Sequence, residues 1–307
     1  MENLNSHKEY YWQFMNAVDE LMNRFLDKAQ NISPDCFIIN GIDVKKSIAN
    51  FLWENLFFSN DRYLFSNYYC DKEQRNKFIE LLWYKKLVPM LPSKNHTNVF
   101  SEPELFGIIE NMVNLLSDFK KSIFFYCKSN RLLKYILPIA KSLKEKVVII
   151  SFEELEENLN DCDHIQILEI GIIKRINPNS RGYIKEKYPF HFFVSYTFDQ
   201  LIQVLHPKSV VFVEGCHYDS ELFSAVCKKY SVPTLCLHHG WPALIHTRFI
   251  NMGYDYYITW GRHFVNLWKI YNPCIKFIDA GYLGEISTNT KSKSGIAFFF
   301  QGPLFII

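Results

Sequence analysis

From residue 120 onward, short apolar β-rich runs alternate with helical stretches, and this alternation restricts the chain to few architectures. The runs are Ser122–Cys127, Lys146–Ile150, His164–Ile170, Ser209–Val213, Pro233–Leu237, Asp255–Thr259 and Ile275–Ala280. Helical patterns lie near 131–143, 197–205, 219–230 and 261–269. Strands that read as continuous apolar runs are buried on both faces, and helices between them make the connections parallel crossovers. The expectation is an α/β fold, with a Rossmann-like parallel sheet domain over residues 120–284.

The first 119 residues read differently. Tyr11, Phe14, Met15, Val18, Leu21, Met22 and Phe25 recur at the three-four spacing of one helical face. Ile48, Leu52 and Leu56 indicate a second helix, and Phe78, Leu81 and Leu82 a third. Ser101 and Glu104 form a capping-box pattern ahead of a fourth, whose apolar face runs from Leu105 to Phe119. Residues 1–119 are therefore expected to be a helical N-terminal region. Beyond 284, the polar run Ser287–Ser294 reads as a linker, and Gly295–Phe300 as a buried strand leading into a glycine turn. Residues 285–307 are read as a linker plus the first strand of a second, truncated Rossmann domain.

Composition removes several classes. Lys and Arg total 34 against 32 Asp and Glu, a formal charge of +2, so the chain is not a strongly basic nucleic-acid binder. No basic n-region followed by an apolar h-region opens the chain, and no run reaches the ~18 apolar residues of a membrane span. The 8 cysteines form no C-x-x-C pair, so reduced, buried thiols in a cytoplasmic protein are expected. His217, His238, His239 and His246 have no metal-ligand spacing, and no metal is expected. Neither G-x-G-x-x-G nor a Walker A motif is present, which argues against a nicotinamide dehydrogenase and a P-loop NTPase.

Ligands of open parallel sheets bind beyond the carboxyl ends of the strands. Four loops qualify: Lys128-Ser129-Asn130, Glu214 to Asp219, His238-His239-Gly240-Trp241-Pro242, and Trp260-Gly261-Arg262. In the third, two histidines follow a buried strand; either can serve as general acid or base, and Gly240 permits a sharp turn. Glu214, directly after an apolar run, is a candidate base. Asp219 and Ser129 are expected to cap the helices that follow them, and Arg248 and Arg262 are candidates for phosphate contact.

The stretch Val210–Glu285 resembles the end of the N-terminal domain of GT-B glycosyltransferases of bacterial capsular and surface polysaccharide synthesis. The resemblance is carried by Ser231-Val232-Pro233-Thr234, the turn His239-Gly240, the strand Asp255 to Gly261, and Gly281-Tyr282. His238 stands where that pattern usually has Gln. The resemblance implies a nucleotide sugar as donor substrate, no bound cofactor or catalytic metal, and a saccharide or lipid-linked acceptor held by this domain. It also implies a cytoplasmic location at the inner face of the membrane, with peripheral association. His239 and Glu214 would be the catalytic pair, with His238, His217, Gly240 and Arg248 binding substrate. The alternatives are a non-catalytic acceptor- or partner-binding fragment, and a glycerophosphotransferase or sugar-nucleotide epimerase on the same architecture.

Overall fold

The computed structural model describes residues 4–58, 71–93, 103–156, 162–171, 182–240 and 247–281. The Ser101–Glu104 capping pair, Trp241-Pro242, His246 and the segment 285–307 lie outside the described residues, as do the side chains of Tyr11 and Leu56.

The helical region opens with α1 (Leu4–Ile32), followed by a two-residue antiparallel ladder, Ile38–Ile39 against Ile42–Asp43. Next come α2 (Lys45–Leu52), running into a π-helical turn at Trp53–Phe58, then α3 (Lys72–Leu81), running into another at Leu82–Leu87, and α4 (Pro103–Leu115). The α/β part then runs β1 (Ile123–Tyr126), α5 (Asn130–Ser142), β2 (Val147–Ser151) and β3 (Ile165–Glu169). It continues through α6 (Tyr183–Lys187), α7 (Pro189–Leu205), β4 (Ser209–Val213), α8 (Tyr218–Lys229) and β5 (Thr234–Leu237). It closes with β6 (Tyr256–Thr259), α9 (Arg262–Lys269) and β7 (Lys276–Asp279).

The seven strands form one parallel sheet in the order β3-β2-β1-β4-β5-β6-β7. This is the 3-2-1-4-5-6 order of Rossmann sheets with a seventh strand added. Every apolar run picked out in the sequence is a strand of it.

Alternation along the central strands sends side chains to two cores. Phe125, Val211 and Val213 face α5, packing with Leu132, Leu133, Ile136 and Ala140. Phe124, Tyr126, Val210 and Phe212 face the other way, into a core that also contains Phe198, Phe223 and the buried stripe of α1, Phe14, Val18, Met22 and Phe25. Phe198 of α7 stacks on Phe223 of α8 with centroids 3.7 Å apart. The helical region therefore shares a continuous core with one face of the sheet.

Two capping expectations are corrected. Asp219 is not the N-cap of α8, because His217 holds that position and the chain is already helical at Tyr218. Ser129 does occupy the N-cap of α5, but its hydroxyl makes no capping bond.

Candidate active site in the crevice between β1 and β4

Successive crossovers carry the chain from β1 outward through β2 to β3, and then from β4 outward the other way. The sheet order thus reverses between β1 and β4, and the space beyond their carboxyl ends is where open sheets of this kind bind ligands, the candidate crevice here. Lys128 to Arg131 form its wall on the β1 side, and Glu214 to Tyr218 on the β4 side.

The Glu214 loop is tightly determined. Glu214 N–H still donates to Leu237 O (3.0 Å), extending the β4–β5 ladder by one residue. Its backbone then turns left-handed, at φ +69°, a region that non-glycine residues seldom adopt outside functional or strained sites. Gly215 follows, and a Cβ there would lie 2.3 Å from Cys236 Sγ and 2.8 Å from the Tyr254 ring, so only glycine fits. Cys216 O is held by Arg248 Nε (3.0 Å) and Asn50 Nδ2 (3.2 Å). Gly240, expected to permit a sharp turn or a close approach to a ligand, does not adopt a left-handed backbone, and a Cβ on it would touch Glu214 Oε1 at 3.7 Å.

From this loop Glu214 reaches three cationic or basic groups. Oε2 lies 3.3 Å from His217 Nε2 and 3.5 Å from the Arg131 guanidinium. Oε1 lies 3.5 Å from His239 Nδ1. Burial alone would raise the Glu214 carboxyl, but the contacts with His217 and His239 hold it well below the usual carboxylate range. Glu214 is therefore a fixed anion across ordinary pH. It is a poor proton acceptor and a good partner for an imidazolium.

His217 is held at both ends. Its Nδ1 lies 3.1 Å from Glu54 Oε1 and 3.0 Å from Arg248 Nη2, and its Nε2 lies 3.3 Å from Glu214 Oε2. Burial opposes its charge, but Cys216 alongside and the two carboxylates outweigh burial and push its pKa up to about 10. His217 is thus an imidazolium at neutral pH. Glu54 also receives the Arg248 guanidinium at 3.2 Å. Beside this chain, buried Asp219 accepts from Tyr126 OH (2.8 Å) and lies 3.9 Å from Lys128 Nζ. Burial works to raise its carboxyl too, but Lys128 and His217 bring it below its ordinary value.

The two adjacent histidines at the end of β5 point to opposite sides. His238 is buried against Trp260 (4.3 Å, stacked), Phe264 and Trp268. Its Nδ1 accepts from Trp260 N–H (3.4 Å) and its Nε2–H donates to Gly240 O, so both nitrogens are engaged within the protein. Burial lowers its pKa to about 4, keeping it neutral. His239 turns into the crevice, edge-on to Tyr135 (4.6 Å). Its Nδ1 faces only Glu214, at a distance too long for a formed hydrogen bond, and no described residue bonds Nε2.

The structure thus brings Glu214, His217, His239 and Arg248 into one crevice and places His238 in the aromatic packing behind it. Arg248 is engaged by Glu54, Cys216 and His217 Nδ1 (3.0 Å) rather than directed outward. Glu54 is the participant that sequence reasoning missed. It lies in the π-helical turn after α2, 163 residues from His217, and only a π-bulge would have marked it, a feature that periodicity does not reveal. Among the described residues no group of three or more His, Cys, Asp or Glu is arranged to hold a metal ion, and no helix is long and apolar enough to cross a membrane. No family model and no curated protein matches the chain.

Proposed function

We propose that this chain is the acceptor-side portion of a nucleotide-sugar-dependent glycosyltransferase of surface or capsular polysaccharide synthesis. The observation that carries the reading is the Glu214–His239 pair at the topological switch point. Nδ1 of the imidazole lies 3.5 Å from the ionised carboxylate, and among the described residues none bonds the other nitrogen. This arrangement suits a general base oriented by a carboxylate.

In this reading His239 Nε2 takes the proton of an acceptor hydroxyl. The oxygen attacks the anomeric carbon of the donor, and the bond from that carbon to the nucleotide diphosphate breaks, the diphosphate leaving with the electron pair. Glu214 stays ionised throughout and stabilises the imidazolium that forms. Lys128 and Arg131, at the uncapped start of α5, supply positive charge on the side where a departing phosphate would emerge. The acceptor is a saccharide or a lipid-linked saccharide. The reaction belongs on the cytoplasmic side of the inner membrane, with the protein peripherally associated there.

Incubation of the full-length protein with labelled nucleotide sugars and candidate acceptors tests the proposal. Transfer should occur with one donor and fall by about 10²–10⁴ in His239→Ala, the contribution of a positioned base. No transfer with any donor, together with unchanged surface polysaccharide in a deletion strain, overturns it.

A further inference from the structure

We propose that Glu54, supplied by the helical N-terminal region, is a positioning residue for the Glu214–His239 pair and acts through His217. The kinetic part of this inference rests on the general-base reading above; the structural part does not.

A carboxylate orients one imidazole well only if its other oxygen is held. Glu214 Oε1 is turned to His239, so Oε2 must carry the anchoring contact. Two groups reach Oε2. Arg131 does so at 3.5 Å from a side chain that is 66% exposed, so solvent weakens and loosens that contact. His217 does so at 3.3 Å from a side chain that is 17% exposed, and it is the firmer anchor. A neutral imidazole, however, has one protonated nitrogen and one lone pair. It could turn the lone pair toward Oε2 and repel it. Glu54 works against that option: its Oε1, 3.1 Å from Nδ1, favours a proton there against the Arg248 Nη2 donor 3.0 Å from the same nitrogen, and the doubly protonated ring then donates to Glu214 as well.

Glu54 is itself fixed. The Arg248 guanidinium lies 3.2 Å from the same oxygen, and Arg248 is pinned by Nε to Cys216 O and by the Trp53 ring 5.6 Å away. The charged and titratable groups facing His217 are Glu54 from the helical region, Glu214, Cys216 and Asp219 from its own loop and helix, Arg248 from the 247–249 turn, and Lys128 from the β1 loop. Of the three carboxylates among them, only Glu54 meets Nδ1.

The test is Glu54→Gln in the full-length protein, with Glu54→Asp as the variant that keeps the charge on a shorter arm. Proton NMR titration of the histidine ring C–H signals is the readout, with His217 assigned from His217→Asn. In the wild type His217 should remain charged to near pH 10. In Glu54→Gln it should lose its proton at least one pH unit lower. Glu54→Asp should lie between the two. In transfer assays kcat should fall tenfold or more with the donor KM unchanged.

A purely structural Glu54 would lower the melting temperature and leave the His217 titration where it was, and that result overturns the inference. Should Glu54→Gln fail to fold, the same criteria apply to Glu54→Asp, in which a smaller shift of the same sign is required. If the wild type transfers no sugar, the glycosyltransferase reading fails, while the NMR titrations still decide the role of Glu54.

Discussion

A methyl group at Gly215 would collide with Cys236 and Tyr254, both buried and closely packed. Gly215→Ala should therefore destabilise the protein by about 1–3 kcal/mol in chemical denaturation, the usual cost of overpacking a core. Two histidines make opposite contributions to the pH dependence of folding. His191 is fully buried in α7, without a well-formed hydrogen bond at either ring nitrogen, and burial lowers its pKa to about 4 from an ordinary 6.5. Between those values the unfolded chain takes up a proton that the folded protein refuses, so stability falls as pH drops from 6.5 toward 4 and then levels off. His191→Phe should flatten that acid limb in denaturant titrations at several pH values. His217 acts in the other direction. With its pKa raised to about 10, the stability it contributes is fully present below 6.5 and is lost as pH rises through 10.

At the level of elements, the turn Thr247–Phe249 is stapled to the helical region. Asp19 of α1 accepts from Thr247 N–H (3.1 Å) and from its hydroxyl. Lys46 of α2 donates to Thr247 O and to Ile250 O (2.7 Å), and burial lowers its pKa to about 8. Lys46→Met should leave two carbonyls without their donor and cost about 1–3 kcal/mol or more. It should also raise further the already elevated Glu221 carboxyl, which Lys46 now holds down. A carboxyl signal of Glu221 titrating above about 7 in the variant would confirm the link.

The elements themselves were unequally legible in the sequence. All seven strands were readable, because each is a bounded apolar run whose flanks change character. The start of α7 was not. The helix begins at Pro189, well before the expected 197, because His-Phe-Phe-Val-Ser-Tyr from His191 on is buried on every side and has no polar stripe to give a period. In the crevice, Glu214 and His239 stood out because a polar residue directly follows a buried strand. Their different depth from His238 did not, since two adjacent residues at a strand end take opposite sides only once the sheet exists. Glu54 carries no local mark, because its meaning depends on a partner that the fold brings from far along the chain.

For the molecule as a whole, the shared core predicts one cooperative unfolding unit rather than separate melting of the helical region and the sheet. Trp12, Trp53 and Trp83 report on the former, and Trp260 and Trp268 on the latter. Denaturation followed by far-ultraviolet circular dichroism and by tryptophan fluorescence should give coincident curves, in the wild type and when Trp12, Trp53 and Trp83 are replaced by Phe. Separated transitions would mean that the α1 stripe and the sheet face do not stabilise each other.

That shared core also has a temporal consequence. The contacts that join the two parts span most of the chain, 163 residues from Glu54 to His217 and 228 from Asp19 to Thr247. During synthesis α1 leaves the ribosome before α2 and α3, which pack on it, and long before the sheet whose face shares its core. Loop-closure entropy of that size makes these pairings late events in folding. The nascent chain is therefore a natural client for chaperones that shield apolar helices, and it acquires a formed crevice only after Arg248 has been made.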